Sequence, residues 1–344
     1  MKQLLNTLFV TTPKAYVHLE GDTLRVEVER EKKLQVPLHH LGAIVTFGDV
    51  LMSPRLLHRC ADDGRAVVLL DRNGGFKARL EGAVSGNILL RQAQFRCAEN
   101  AGQALEIARA CVAGKLRNCR YVLLRGARDS RDAGDIDRLR QAARLLTGHI
   151  RKLPQAADAD ALRGLEGDGA RVYFGALPAL IRKDQREIFH FERRSRRPPL
   201  DRFNALLSFL YALVMSDCRS ALEGVGLDPQ LGFLHAIRPG RAALALDLME
   251  EFRPVVGDRL ALTLINRGQL TRHDFDERSG GAVYLSDQGR RTVITAYQSR
   301  KQDELSHPLL DQPCPVGLLP HIQARLLARV IRGDMEGYLP FLAR

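Results

Sequence analysis

Three segments of this 344-residue chain concentrate side chains able to do chemistry. ALRGLEGDGARVYFGAL, residues 161–177, carries Arg163 and Glu166; on a helix Glu166, Ala170 and Tyr173 share one face, at i, i+4 and i+7. Its glycines 164, 167, 169 and 175 each cost roughly 1 kcal/mol against alanine in a helix, a penalty that suggests close approach of another backbone or a phosphate strand. GVGLDPQLGFLHAIRPGR, residues 224–241, sets His235 between the turn signals Asp228-Pro229 and Pro239-Gly240. RAALALDLMEEFRP, residues 241–254, reads as a helix with Leu244, Leu248 and Phe252 on an apolar stripe and Asp247, Glu250 and Glu251 on another face. Acidic residues at i and i+3, close after a loop histidine, make a donor set for a metal. Carboxylate oxygens suit hard divalent ions such as Mg²⁺ or Mn²⁺, and one imidazole leans toward Mn²⁺. Asp247 and Glu250 repel each other unless a cation or Arg253 stands near. Each segment alone also reads as ordinary structure: a solvated Glu on a frayed surface helix, a packed or capping His, a charged helix face.

The elements that must position these residues fall into two groups. Residues 1 to about 85 are β-rich: TLFVTTPKAYVHLEGDTLRVEVE holds short runs with a Gly21-Asp22 turn, followed by KKLQVPL, GAIVTFG and AVVLLD, with DRNGGF as a further turn. His39, His40, Asp49 and Asp62 lie near strand ends, where such residues usually cap or turn. Beyond Gly86-Asn87, apolar residues recur at three- and four-residue spacing, as in QALEIARACVAGKLRNCRYVLLR and IDRLRQAARLLTGHI, with further helices expected around 155–180, 201–223, 243–265 and 318–333. Residues 267–281 read as a polar surface loop. The expected fold is α+β: a small N-terminal β domain, 1–86, then a larger all-α C-terminal domain, 87–344.

Composition narrows the chemistry. A hydrophobic content of 45% with 27% charged residues excludes a disordered or collagen-like chain. No uninterrupted run approaches the roughly 18 apolar residues that span a bilayer, so no membrane partner is expected. The opening MKQLLNTLFVTTP is broken by Asn6 and Thr7 and has no small-residue cleavage site, so a cytoplasmic protein is expected. The six cysteines are far apart, with no Cys-x-x-Cys pair, and read as buried thiols in a reducing compartment. Phosphate-loop, dinucleotide and nucleophile-elbow motifs are missing, which removes most of the case for nucleotide hydrolysis, Rossmann hydride transfer and α/β-hydrolase chemistry. The net charge of +12 is unevenly placed: residues 101–200 hold 21 Lys+Arg against 12 Asp+Glu, whereas 201–344 are neutral. Concentrated basic charge is the footprint of a nucleic-acid partner, although a membrane surface or an acidic protein could use it too. Without tryptophan and with 6% aromatics, recognition by broad stacking platforms is not favoured.

The three segments and their flanks resemble the CRISPR-associated integrase, the catalytic subunit of the spacer-acquisition complex. The likeness runs through LDRNGGFKARLEGAVSGNILLRQAQF, GLEGDGARVYF, RPPLDRFNALLSFLYALV, GLDPQLGFLHAIRPGRAALALDLMEEFRPVVGD and LARVIRGDMEGYLPF, most of the chain. It implies an N-terminal β domain that dimerises and a C-terminal helical catalytic domain. It also implies a homodimer, two of which clamp a dimer of a small ferredoxin-like partner subunit, in a type I system. Glu166, His235 and Glu250 are the implied ligands of Mg²⁺ or Mn²⁺, the last being Asp in some members, and Asp247 an additional acidic contributor to catalysis. Tyr173, Asn204 and Tyr211 are expected around the site or its DNA. Arg163, Arg193, Arg194, Arg196, Arg197 and the basic residues of 111–127 are expected to hold double-stranded DNA, both the incoming spacer and the repeat array. The implied reaction is a transesterification in which a 3′-hydroxyl attacks a phosphodiester at a repeat border. Two other readings stay open: a stand-alone metal-dependent nuclease acting on branched DNA, and a non-enzymatic DNA scaffold.

Overall fold

A computed structural model of the protein describes residues 7–72, 76–80, 82, 88–310 and 312–343. The chain divides into two units, Met1–Ser85 and Gly86–Arg344. The tip of the expected DRNGGF turn and the Gly86-Asn87 junction lie outside the described residues.

The N-terminal unit holds β1 (Thr7–Val10), β2 (Tyr16–Glu20), β3 (Thr23–Val28), β4 (Glu31–Pro37), β5 (Ala43–Phe47), β6 (Leu51–Met52), α1 (Pro54–Asp62), β7 (Ala66–Leu70) and β8 (Phe76–Leu80). One sheet has the order β1-β5-β7-β8, parallel except for the β7–β8 pair, and the other the order β4-β3-β2-β6. The central strand β5 is buried at Ile44, Val45, Thr46 and Phe47 in succession, the continuous pattern of a parallel strand covered on both faces. In the second sheet β2 and β3 pair antiparallel with Glu20 opposite Thr23, so Gly21, at φ +60°, and Asp22 form the two-residue turn the sequence indicates. Val10, Val17, Leu24, Val26, Ile44 and Val67 make one core with Leu56 and Cys60 of α1. Ser53 caps α1 by accepting from the Leu56 amide at 3.2 Å.

The C-terminal unit contains α2 (Ile88–Glu99), α3 (Ala101–Asp129), α4 (Ala133–Lys152), α5 (Ala159–Ala176), α6 (Arg202–Gly224), α7 (Ala243–Met249), α8 (Arg259–Asn266), α9 (Asp287–Gln302) and α10 (Leu319–Arg332). It is mostly helical but not wholly so. Strand β9 (Phe275–Glu277) pairs with β10 (Val283–Leu285), and β11 (Glu304–His307) with β12 (Gln312–Pro315). The segment expected to be a loop therefore contributes a strand. Asn100, Asp132, Asp158 and Asp201 cap α3, α4, α5 and α6 by accepting backbone amides of the first turn, as short polar side chains do. Helix α6 is long and apolar enough by length and composition to cross a bilayer. Its apolar residues are interrupted by polar ones, and Phe203, Leu206, Leu207, Leu210, Leu213 and Val214 are buried in the core. The expected helix over 243–265 is two helices. Pro254, which has no N–H to give, opens a wide π turn over Arg253–Asp258 between α7 and α8.

Candidate active site

The His235 loop is held by one buried carboxylate. Asp247 on α7 is fully buried. Its Oδ2 accepts the amides of Phe233 at 2.6 Å and Leu234 at 3.0 Å, and its Oδ1 accepts the His235 amide at 3.0 Å. The same Oδ1 lies 2.6 Å from His235 Nδ1. A carboxylate only accepts, so Nδ1 bears a proton, and in the neutral ring the lone pair is then on Nε2. That tautomer is the one a metal-ligating histidine needs. The loop can lie this close to α7 because residue 232 is glycine: a Cβ there would stand 2.7 Å from the Ala243 carbonyl carbon and 2.8 Å from Asp247 Oδ2. Arg163 on α5 adds a second tether, donating to the Leu234 carbonyl at 3.0 Å while pairing with Asp160.

His235 Nε2 points toward Glu250, 3.9 Å from its Oε1. Glu250 follows the last turn of α7 and is buried between two cations. Arg253 donates to Oε1 at 2.7 Å, and the Lys115 ammonium lies 2.7 Å from Oε2. Burial works against the Glu250 carboxylate, but Arg253, Lys115 and His235 together outweigh it and hold the group at about 2. Glu166, half-buried on α5, reaches the same Lys115 Nζ. Lys115 projects from the middle of α3 and is 5% exposed. Burial disfavours its charge, yet Glu250 and Glu166 prevail, and its pKa is raised.

Behind the site the packing is polar and closed. Tyr173 and Tyr211 both donate to the Asp258 carboxylate, and the Arg253 guanidinium stacks 4.2 Å from the Tyr211 ring centre. Burial first, and the Asp258 charge second, push both phenols well above their ordinary range. Glu251 turns away from the cations into the interior. It accepts from Tyr338 Oη, from the Phe341 amide and, at 3.0 Å, from Gln323 Nε2, while burial raises its carboxyl to about 8. Asn118 on α3 donates to the Glu251 and Phe341 carbonyls, both at 2.8 Å, so the final residues of the chain are tied directly behind Glu250.

Glu166, His235, Asp247 and Glu250, expected from the sequence, are thus brought together from α5, a loop and α7. Asp247 faces His235 and three amides rather than the space shared by the other three. Several other expectations need correction. Tyr173 and Tyr211, expected around the site or its DNA, lie around the site, but buried behind it with their hydroxyls on Asp258 rather than on the surface where DNA would bind. Asn204 is fully buried; it donates to the Arg193 carbonyl at 2.8 Å and accepts from Arg194 at 2.7 Å. Arg194 also donates to Ser208 at 3.0 Å, which makes it a tie between the basic stretch and α6 instead of a phosphate contact. Arg193, Arg196 and Arg197 are exposed. Lys115 is the buried exception among the basic residues of 111–127, whereas Arg117 and Arg120 are exposed. Of the four glycines in 161–177 only Gly169 meets a neighbour, where a Cβ would stand 2.5 Å from Leu116 Cδ2; Gly164, Gly167 and Gly175 face open space. From the sequence Arg253 is recognised only as a charge near Asp247 and Glu250, Lys115 is counted with the basic residues of 111–127 expected on DNA, and Asp258 is passed over. Lys115 carried a signal: it interrupts the apolar stripe of Cys111, Val112, Leu116, Cys119 and Val122, all buried.

Two carboxylates and an imidazole nitrogen with its partner nitrogen tied down are donors that fit Mg²⁺ or Mn²⁺. Among the described residues no three His, Cys, Asp or Glu side chains already surround one ion-sized point. Glu166 and Glu250 converge instead on the Lys115 ammonium.

A cluster of carboxylates and a histidine between helices, in a mostly helical unit that follows a small β unit in the chain, defines a class of two-part proteins. The family profile of CRISPR associated protein Cas1 matches residues 8–299. The CRISPR-associated endonuclease Cas1 1 of Moorella thermoacetica is 54% identical over the full length of both chains. The chain also superposes on a solved Cas6-RT-Cas1–Cas2 complex with a TM-score of 0.84, at 24% identity, covering 99% of this chain and 36% of that one. A casposase bound to an integration product gives a TM-score of 0.82 at 20% identity, covering 97% and 93%. This chain belongs to the Cas1 family of CRISPR-associated proteins.

Proposed function

We propose that this protein is a metal-dependent DNA integrase and endonuclease of CRISPR adaptation, inserting new spacer DNA into the repeat array by transesterification. The observation that carries the proposal is the convergence of Glu166 and Glu250 on one point, Lys115 Nζ, with His235 tied through Nδ1 to Asp247 and its Nε2 turned toward Glu250. Glu166, His235 and Glu250 would hold Mg²⁺ or Mn²⁺. When bound, such an ion supplies charge that stabilises the pentacovalent phosphate and polarises the attacking or leaving oxygen. The chain's own residues do the rest. Asp247 sets the tautomer and, with Arg163, the height of the loop. Arg253 keeps Glu250 charged. Exposed Arg193, Arg196 and Arg197 bind duplex backbone, giving register and affinity with little sequence information. Attack by a 3′-hydroxyl exchanges one phosphodiester for another, so no nucleotide hydrolysis is required, in agreement with a chain that has no phosphate loop.

The likeness to endonucleases of this family and to a casposase on its integration product supports the reaction class, and that to a Cas1–Cas2 assembly supports a Cas2-type, small ferredoxin-like partner. A homodimer formed through the N-terminal unit and a cytoplasmic setting complete the proposal; six free, buried cysteines agree with a reducing compartment. The test is joining of a labelled duplex to a repeat-containing plasmid, with the partner subunit and with Mn²⁺ or Mg²⁺. Joined product should disappear in Glu166→Ala and His235→Ala. Undiminished joining in both variants overturns the proposal. Cleaved products far exceeding joined ones with the partner present would select a stand-alone nuclease, and full DNA affinity with no strand chemistry a scaffold.

A further inference from the structure

The cation that the two ligand carboxylates share in this structure is a side chain of the protein itself. Lys115 Nζ contacts Glu166 and lies 2.7 Å from Glu250 Oε2. Its helix is fixed where it emerges. A Cβ on Gly114 would stand 2.7 Å from Pro340, and Leu116 fills the notch left by Gly169. The backbone of α3 is therefore pinned on both sides of Lys115, so only rotation about the bonds of its four-carbon stem can carry the ammonium away from the two carboxylates. The neighbouring charges are three carboxylates, Glu166, Asp247 and Glu250, against Lys115 and Arg253. Arg253 is engaged at the opposite Glu250 oxygen and stacked on Tyr211, so it cannot replace Lys115. With the Lys115 charge gone, Glu166 has no other cation at its carboxylate among the described residues, and Glu250 loses one of two.

We propose that Lys115 is a resident counter-cation. It holds Glu166 and Glu250 together while the site has no divalent ion, and the ion must displace it from those same oxygens to bind. The inference rests on the metal-site reading above and adds to it a competitor built into the chain. Two consequences are opposite in sign. Removing the ammonium strengthens divalent binding, because the ion no longer displaces a positive group and meets two unneutralised carboxylates. It also weakens the metal-free protein, because buried Glu250 is left with less compensation.

The experiment is a Mn²⁺ titration of the full chain, by calorimetry and by the electron paramagnetic resonance signal of free Mn²⁺, with thermal melts in the absence and presence of the ion. Lys115→Met keeps the stem's shape and removes the charge; Lys115→Gln does so with a polar end, should the first variant fold poorly. Either should bind Mn²⁺ at least about tenfold more tightly than wild type, a modest fraction of the effect of removing a unit charge about 4 Å from the ion at an effective dielectric near 20. Either should also melt lower without metal and gain more on adding it. Lys115→Arg, which keeps the charge, should show no such gain. Mn²⁺ binding that is lost in Glu250→Gln but unchanged or weaker in folded Lys115→Met and Lys115→Gln overturns the inference and leaves the metal site standing. No Mn²⁺ binding in wild type or in either Lys115 variant overturns both.

Discussion

Replacing Asp247 by Asn removes charge from a side chain that serves four donors at once. An amide offers one acceptor atom where the carboxylate offers two. If its nitrogen takes the Oδ2 position, the buried amides of Phe233 and Leu234 lose their acceptor. If it takes the Oδ1 position, it opposes the His235 amide, and Nδ1 must turn acceptor, which moves the ring proton to Nε2 and closes that nitrogen as a ligand. The first orientation leaves two donors without a partner and the second sets the His235 amide against an N–H, at about 1–3 kcal/mol for each group left unpaired, which gives a loss of about 3 kcal/mol. For a domain of this size that is a fall in Tm of about 6–12 °C, at roughly 2–4 °C per kcal/mol. Losing the orienting partner of a ligating histidine should further weaken Mn²⁺ binding by about 10–100-fold. Melts and a Mn²⁺ titration on the same preparation measure both effects. A variant that melts within about 1 °C of wild type and binds Mn²⁺ equally well would refute the claim that Asp247 sets the loop and the tautomer.

Gly232→Ala drives a methyl group into the α7 backbone and the Asp247 carboxylate, and should destabilise by about 1–3 kcal/mol and abolish joining. Gly164→Ala, at an open helical position, should instead raise stability by up to about 1 kcal/mol, as unfolding in urea would report. Glu250, held at about 2 against an ordinary 4.5, contributes stability that is present above pH 4.5 and lost as the pH falls through that window. Urea titrations should therefore show the stability gap between wild type and Glu250→Gln, at most about 3 kcal/mol, shrinking from about pH 5 toward pH 2. Alanine at exposed Arg193, Arg196 or Arg197 should lower the salt dependence of duplex binding by about 0.9 per phosphate contact removed, with Tm unchanged. Arg194→Ala, which cuts the ties to Asn204 and Ser208, should lower Tm instead.

What the sequence makes legible follows the periodicities. The apolar spacing of α3, α4 and α6 and the Gly21-Asp22 turn appear in the structure where the pattern puts them, because burial of a face decides those elements. The break between α7 and α8 was also written in the chain, at Pro254, but the apolar residues on either side of it read as one helix. Strand β9 is three residues long and takes its order from pairing with β10, a tertiary contact that no local pattern announces. The donors of the candidate site are recognisable by type; their division of labour is not. Whether Asp247 or Glu250 faces Glu166 and Lys115 depends on which way the 233–235 amides point, and that is settled by the glycine at 232. Tyr173, Asn204 and Tyr211, expected around the site or its DNA, are buried supports, since buried hydroxyls and amides take up partners from inside.

The latch behind Glu250 has a practical corollary. The chain's last few residues supply a phenol and a backbone amide to Glu251, one peptide bond from a proposed ligand of the ion. Clipping the polypeptide after Gly337 would strip that carboxylate of two of its three donors and remove the residues packed behind Glu250. A preparation nicked by protease in its final turn should therefore look folded by size and be silent in function, so the integrity of the tail is a sensible first control whenever such a sample proves inactive.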